Sequence, residues 1–154
     1  MRHCRFSLRR FNHETNQEAN PDPSRRSLIV NNEAGIVKRD LPGRTFEFAR
    51  RVVKLCQVLD QTPGVSRTMA NQLLRSGTSI GANVEEGQAG QSRADFVSKL
   101  SIACKEARET HYWLRLLMAS EIVPEPRLAE LLDEADQLIA ILTSIIKNTK
   151  SNDK

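Results

Sequence analysis

The chain has 154 residues, enough for a single domain with its own core. Its formal charge of +4, with a pI of about 9.2, falls short of a dedicated histone-like binder. Its three cysteines, Cys4, Cys56 and Cys104, are odd in number, far apart and without any C-x-x-C pair. This argues against a disulfide framework or structural zinc and fits a reducing cytoplasm.

The basic excess is uneven. Residues 1–42 carry eight Lys/Arg against five Asp/Glu, and the rest fifteen against fourteen. Residues 1–40 show no sustained helical or strand period, are dominated by Asn, Arg, Ser and Pro, and contain the breaker Pro21-Asp22-Pro23. A poorly ordered N-terminal extension is expected there. Leu28-Ile29-Val30 has no clear partner strand. The charge suits a tail that touches nucleic acid. The plainer and preferred reading is a solvated extension, or residues added by an upstream translation start. No apolar run approaches the roughly 20 residues that span a bilayer. The Arg-rich N-terminus lacks the apolar stretch of about 7–15 residues of a secretory signal. A soluble cytoplasmic protein without a membrane partner is expected.

From Leu41 the pattern becomes helical. Pro42-Gly43 reads as a break and Thr45 as the N-cap of a first helix running to about Gln61. Phe46, Ala49, Val52, Val53, Cys56 and Leu59 form its apolar face. Pro63-Gly64 ends it. Ser66 is the expected cap of a second helix, and Gly87, with Gly90 just after, its stop. Ser92, with Asp95 three residues on, reads as the cap of a third and longest helix. Phe96, Leu100, Ala103, Ala107, Thr110, Leu114 and Leu117 keep a seven-residue repeat along it, with Trp113 and Leu116 widening the face. Pro124 and Pro126 mark a turn. A fourth helix then starts near Pro126 or Arg127, with a stripe from Leu128 to Ile146, and its polar end frays from Lys147. The fold class is therefore all-α. An antiparallel up-down four-helix bundle is expected over residues 41–150, with a tail at 151–154.

The second helix carries two seams. Met69, Leu73, Gly77, Ile80 and Val84 are the packing seam. Beside it Gln72, Ser76, Ser79, Asn83 and Glu86 recur at steps of four, three, four and three, so polar groups share one helical face. Burying an amide or carboxylate unpaired costs roughly 1–3 kcal/mol, so these groups must find partners. Three readings follow: an oligomer interface, a network fixing helix register within or between subunits, or a ligand-lined channel. Register and interface are preferred. Asn83 and Glu86 are expected to meet residues of the third helix.

These residues carry a resemblance. Arg39-Asp-Leu41, Arg44-Thr-Phe-Glu-Phe-Ala49, Gln72 through Glu86, Ser98 through Ala103 and Lys105 through Leu114 resemble the bacterial four-helix bundle family named for 23S ribosomal RNA intervening sequences. The pattern R-S-x-x-S-I-x-A-N followed by E-x-x-x-W-L is its specific part, and the likeness covers about Lys38 to Lys150. The resemblance implies a homo-oligomer, a pentameric ring around a central channel, with no assigned activity and no cofactor. A related retroelement accessory protein is similar in fold, which implies contact with nucleic acid and a reverse transcriptase. This chain's nearly neutral body departs from that protein's basic character.

A di-metal carboxylate bundle needs Glu-x-x-His pairs. Glu109 and His111 stand about 200° apart on a helix, residue 108 is Arg, and His3 and His13 lie in the extension, so no metal site is expected. Glu85, Glu86, Glu106 and Glu109 could cluster as catalytic carboxylates. Glu106 and Glu109, beside Lys105 and Arg108, are preferred as members of helix-surface or intersubunit ion pairs. No nucleophile–base pair and no phosphate-binding glycine loop is present; Gly77, Gly81, Gly87 and Gly90 read as close-packing sites, and no catalytic residue is expected. Arg44, Arg50, Arg51 and Lys54 on the first helix, with Arg75, form the candidate face for RNA or DNA. No exposed aromatic interleaves with that face, and Tyr112 and Trp113 read as packing residues. The leading function is a non-enzymatic oligomeric scaffold with a protein partner. The alternative is a nucleic-acid-binding accessory factor.

Overall fold

A computed structural model describes residues 41–151. The expected N-terminal extension and residues 152–154 lie outside the described residues. Four helices follow in order: α1 (Leu41–Leu59), α2 (Val65–Gln88), α3 (Arg93–Ala119) and α4 (Glu125–Ser151). Among the described residues there is no strand. The joints are four or five residues long, so each helix turns back against its predecessor. α1 packs on α2, α2 on α3 and α3 on α4, while α4 closes onto α1 over a narrower contact, and no Cα atoms of the diagonal pairs come within 8 Å of each other. This is the up-down bundle expected.

The core follows the heptads. Leu100, Ala103, Ala107, Thr110, Leu114 and Leu117 are buried on α3. Leu128, Leu131, Ala135, Leu138 and Leu142 are buried on α4. The packing seam of α2 is buried along its whole length. Each fully buried Leu or Ile among them contributes about 1.5–3 kcal/mol. On α1 the face is turned from the one expected. Leu41, Thr45, Phe48, Val52, Cys56 and Leu59 are buried, whereas Phe46 is 71% exposed. Apolar residues stand at both 46 and 48, and only Phe48 keeps the four-residue step to Val52.

The helix ends differ from expectation in four places. Pro42-Gly43 is no break but lies in the first turn of α1, where proline loses no intrahelical bond. Thr45 is accordingly not a cap; its buried hydroxyl donates back to Leu41 O (2.9 Å) and lies 3.0 Å from Pro42 O. Gly64, not Ser66, is the N-cap of α2, at φ 97° and without a side-chain cap; that left-handed angle favours glycine. α2 does end near Gly87 as expected, at Gln88, and Gly87 itself is buried in its last turn. At the other end of the same joint the Ser92 cap is present, accepting from Asp95 N (3.1 Å). α4 starts one or two residues early, at Glu125, and its polar end is helical to Ser151.

Candidate interaction surfaces

The polar seam of α2 does not act as one network. Ser76 is fully buried against α3. Its hydroxyl lies 3.0 Å from Thr110 Oγ1 and 3.1 Å from Gln72 O, and Thr110 Oγ1 lies 2.8 Å from Glu106 O. Two hydroxyls thus supply each other and the helix backbone inside an apolar contact. Asn83 turns back on its own helix, donating from Nδ2 to Ser79 O (2.8 Å) rather than to α3. Glu86 is exposed and does reach α3, pairing with Lys99. That contact raises the Lys99 ammonium above its ordinary value, the hydrogen bond that Lys99 Nζ donates to Glu86 being the main cause. Gln72 and Ser79 are half-buried. No described buried side-chain nitrogen or oxygen lacks a partner.

The basic face of α1 is largely neutralised. Arg44 makes a forked pair with Glu134 on α4 (Nε–Oε1 3.0 Å, Nη2–Oε2 2.9 Å) and also donates to Gln137. Arg51 meets Glu130 on α4 at 2.9 Å. Arg50 pairs with Glu47 one turn away, which lowers the Glu47 carboxyl mainly through that hydrogen bond. Arg75 lies 3.6 Å from Glu109 on α3. Lys54 is exposed beside them. Pairs that bridge α1 and α4 compensate for their narrow apolar contact.

A second basic stripe escaped the sequence reading. Lys105, Arg108, Tyr112 and Arg115 recur on α3 at steps of three, four and three, on one exposed face. None of these three cations is paired with a carboxylate of the described residues. Within one chain Glu109 makes its surface contacts with Arg75 (3.6 Å) and with Trp113 Nε1 (3.2 Å), not with Lys105 or Arg108. Tyr112 is not a packing residue; it is 55% exposed, edge-on to Trp113 at 5.2 Å between ring centroids. A depression of about 330 Å³ opens beside Tyr112, Arg115 and Met118. The spacing was the available signal.

The carboxylates do not gather into an acid–base pair. Burial, with the neighbouring Glu109 charge added, raises the Glu106 carboxyl, and Arg75 opposes this. Glu85 is exposed, and Glu86 belongs to Lys99. His111 contacts Asp136 (3.4 Å), and Cys104 Sγ contacts Thr143 Oγ1 (3.6 Å), so the two residues spend their polar atoms on α4 separately. Among the described residues no three His, Cys, Asp or Glu side chains stand close enough to hold a metal ion. No described helix is long and apolar enough to cross a membrane.

Comparison with known proteins places this bundle. A crystal structure of a protein with unknown function, from the S23 ribosomal protein family of Bacteroides thetaiotaomicron VPI-5482, is similar at 44% identity. The likeness covers 69% of this chain and 97% of that one, with a TM-score of 0.64. No curated protein matches the chain. The model of the 23S rRNA-intervening sequence protein matches residues 40–144, from the first turn of α1 almost to the end of α4. The chain therefore belongs to the 23S rRNA-intervening sequence protein family.

Proposed function

We propose that the protein is a non-enzymatic scaffold that works as a cytoplasmic homo-oligomer, a pentamer as the family resemblance implies, and offers its outer surface to a protein partner. The observation that carries this reading is the exposure of Phe46 (71%) on α1, together with Leu74 on α2 and Ile102 on α3. The core of the bundle is complete without them, and large apolar groups left outside a finished core are what an interface between copies covers. The half-buried Gln72, Ser79 and Asn83 of α2 supply the polar part of such a contact. Light scattering on a size-exclusion column tests it. A mass several times the 17.4 kDa of one chain is expected, falling to one chain in F46E with helix content unchanged. A monomer at micromolar concentration would defeat the proposal.

The alternative, a nucleic-acid-binding accessory factor acting on RNA or with a reverse transcriptase, is favoured by one specific observation. Lys105, Arg108 and Arg115 of α3 have no carboxylate partner among the described residues and flank an exposed aromatic ring, the arrangement that tracks a single strand. Arg44, Arg50, Arg51 and Arg75 are already engaged by carboxylates. RNA binding that survives charge reversal at Arg50, Arg51 and Lys54 but not at Lys105, Arg108 and Arg115 is the outcome this reading requires.

A further inference from the structure

Where the α1–α2 and α3–α4 joints meet, the bundle opens a groove of about 430 Å³. Its floor includes Leu55, Val58, Ile122 and Leu131, and its rim carries Arg51, Lys54 and Arg127. No carboxylate lines it. Four acids adjoin these residues in sequence: Asp60 and Glu130 are held by Arg67 (2.8 Å) and Arg51 (2.9 Å), whereas Glu121 and Glu125 are exposed without a cationic partner among the described residues and do not line the groove. α2 begins beside the groove, between Thr62 and Ser66, without a side chain capping its first amides. The positive end of that helix therefore adds to the charge of the rim. Val58, at the C-terminal end of α1, is 53% exposed, so the apolar floor is open to solvent.

We propose that this groove binds a small amphiphilic carboxylate. Its apolar body lies on Leu55, Val58, Ile122 and Leu131, and its carboxylate is met by Lys54 and Arg127, the two rim cations without a carboxylate partner among the described residues. An apolar floor with a few charged groups of one sign is the usual build of a small-molecule site, and the volume falls within their range of about 300–1,000 Å³. A partner helix is about 10 Å across and needs a longer trough. The groove shares no lining residue with Phe46, Leu74 and Ile102 or with the α3 stripe.

The test uses the full chain and decanoate as probe, with decanol and decyltrimethylammonium as controls of equal apolar length, all below their micelle-forming concentrations. Amide spectra are followed during titration. Decanoate is expected to shift the resonances of the C-terminal turns of α1 and of the α3–α4 joint saturably, and to bind about tenfold more tightly than decanol. K54E/R127E, changed at two exposed positions, should lose that preference while binding decanol as before. V58E should weaken both ligands. Equal affinity for decanoate and decanol, a preference for the cation, shifts centred elsewhere or no saturable shift would each overturn the proposal. The comparison among ligands on the parent protein stands even where a variant folds poorly.

Discussion

Gly77 of α2 faces Val52 of α1 with no room for a side chain: a β-carbon at Gly77 would stand 2.8 Å from Val52 Cγ1 and 3.1 Å from Cγ2. Val52 is fully buried and branched at its β-carbon, so it has little freedom to move aside. Gly77→Ala should destabilise the bundle by about 1–3 kcal/mol through overpacking, even though alanine favours a helix by about 1 kcal/mol. V52A/G77A should recover part of the loss, and the coupling is read from urea melts of the four variants. A Gly77→Ala protein at least as stable as the parent would show that α1 can shift to admit the methyl group.

Ser76 and Thr110 form the only direct hydroxyl–hydroxyl contact recorded between α2 and α3 among the described residues. Thr110→Val keeps the shape and removes the hydroxyl. A loss of about 1 kcal/mol is expected. Each hydroxyl also bonds its own helix backbone, so S76A/T110V should cost less than the two single changes added together. Strict additivity in thermal or urea melts would mean that the pair does not couple the helices.

Burial pushes the Cys56 thiol up to about 11, and its Sγ lies 3.3 Å from Ala70 O. The unfolded chain releases that proton near the ordinary thiol value of about 8.5, while the native state retains it. Stability conferred relative to Cys56→Ala is therefore intact below that value and falls as pH rises through the window up to about 11, in total by roughly 3–3.5 kcal/mol. A pH-independent difference between parent and variant would show that the thiol ionises in place.

Glu106 is disfavoured as a carboxylate by burial and by Glu109. A raised native value means that the folded state holds the proton longer, so its contribution to stability falls as pH rises through the ordinary carboxylate range and beyond. Glu106→Gln should stabilise the protein at neutral pH by less than about 1 kcal/mol, with the gain gone at low pH where both forms are neutral. Melts at two pH values decide it, and a variant less stable at neutral pH would contradict the assignment.

Binding of single-stranded RNA through α3 would release counterions at Lys105, Arg108 and Arg115. With three contacts on each chain, the slope of log affinity against log salt should be about −2 per bound chain. R108A should make that slope shallower, whereas Tyr112→Ala should weaken binding and leave the slope in place. A Tyr112→Ala protein with unchanged affinity removes stacking from this reading.

Helix ends show where a single chain is hard to read. Thr45 has the composition of a cap and follows Pro42-Gly43, yet it became a core residue because α1 already includes Leu41. Gly64 took the cap of α2 by its backbone angle rather than by any side-chain bond. Ser92 behaved as read, since a serine with an acceptor role and Asp95 three residues on act within one turn. The glycines of α2 were legible as close-packing sites, but their counterparts Val52 and Leu100 were not.

The number of helices, their order and the buried stripes of α2, α3 and α4 were determined by the sequence, because an apolar period and a short joint act within a few turns of one chain. Which charges remain available to a partner was decided by the tertiary structure. Arg44 and Arg51 found Glu134 and Glu130, 90 and 79 positions away, and no local pattern shows those meetings. Lys105 and Arg108 sit beside glutamates in sequence yet have no carboxylate partner among the described residues, where Glu109 is engaged by Arg75 from the neighbouring helix. Charge pairing depends on the relative phase of two packed helices, and that phase is set only when their cores interlock.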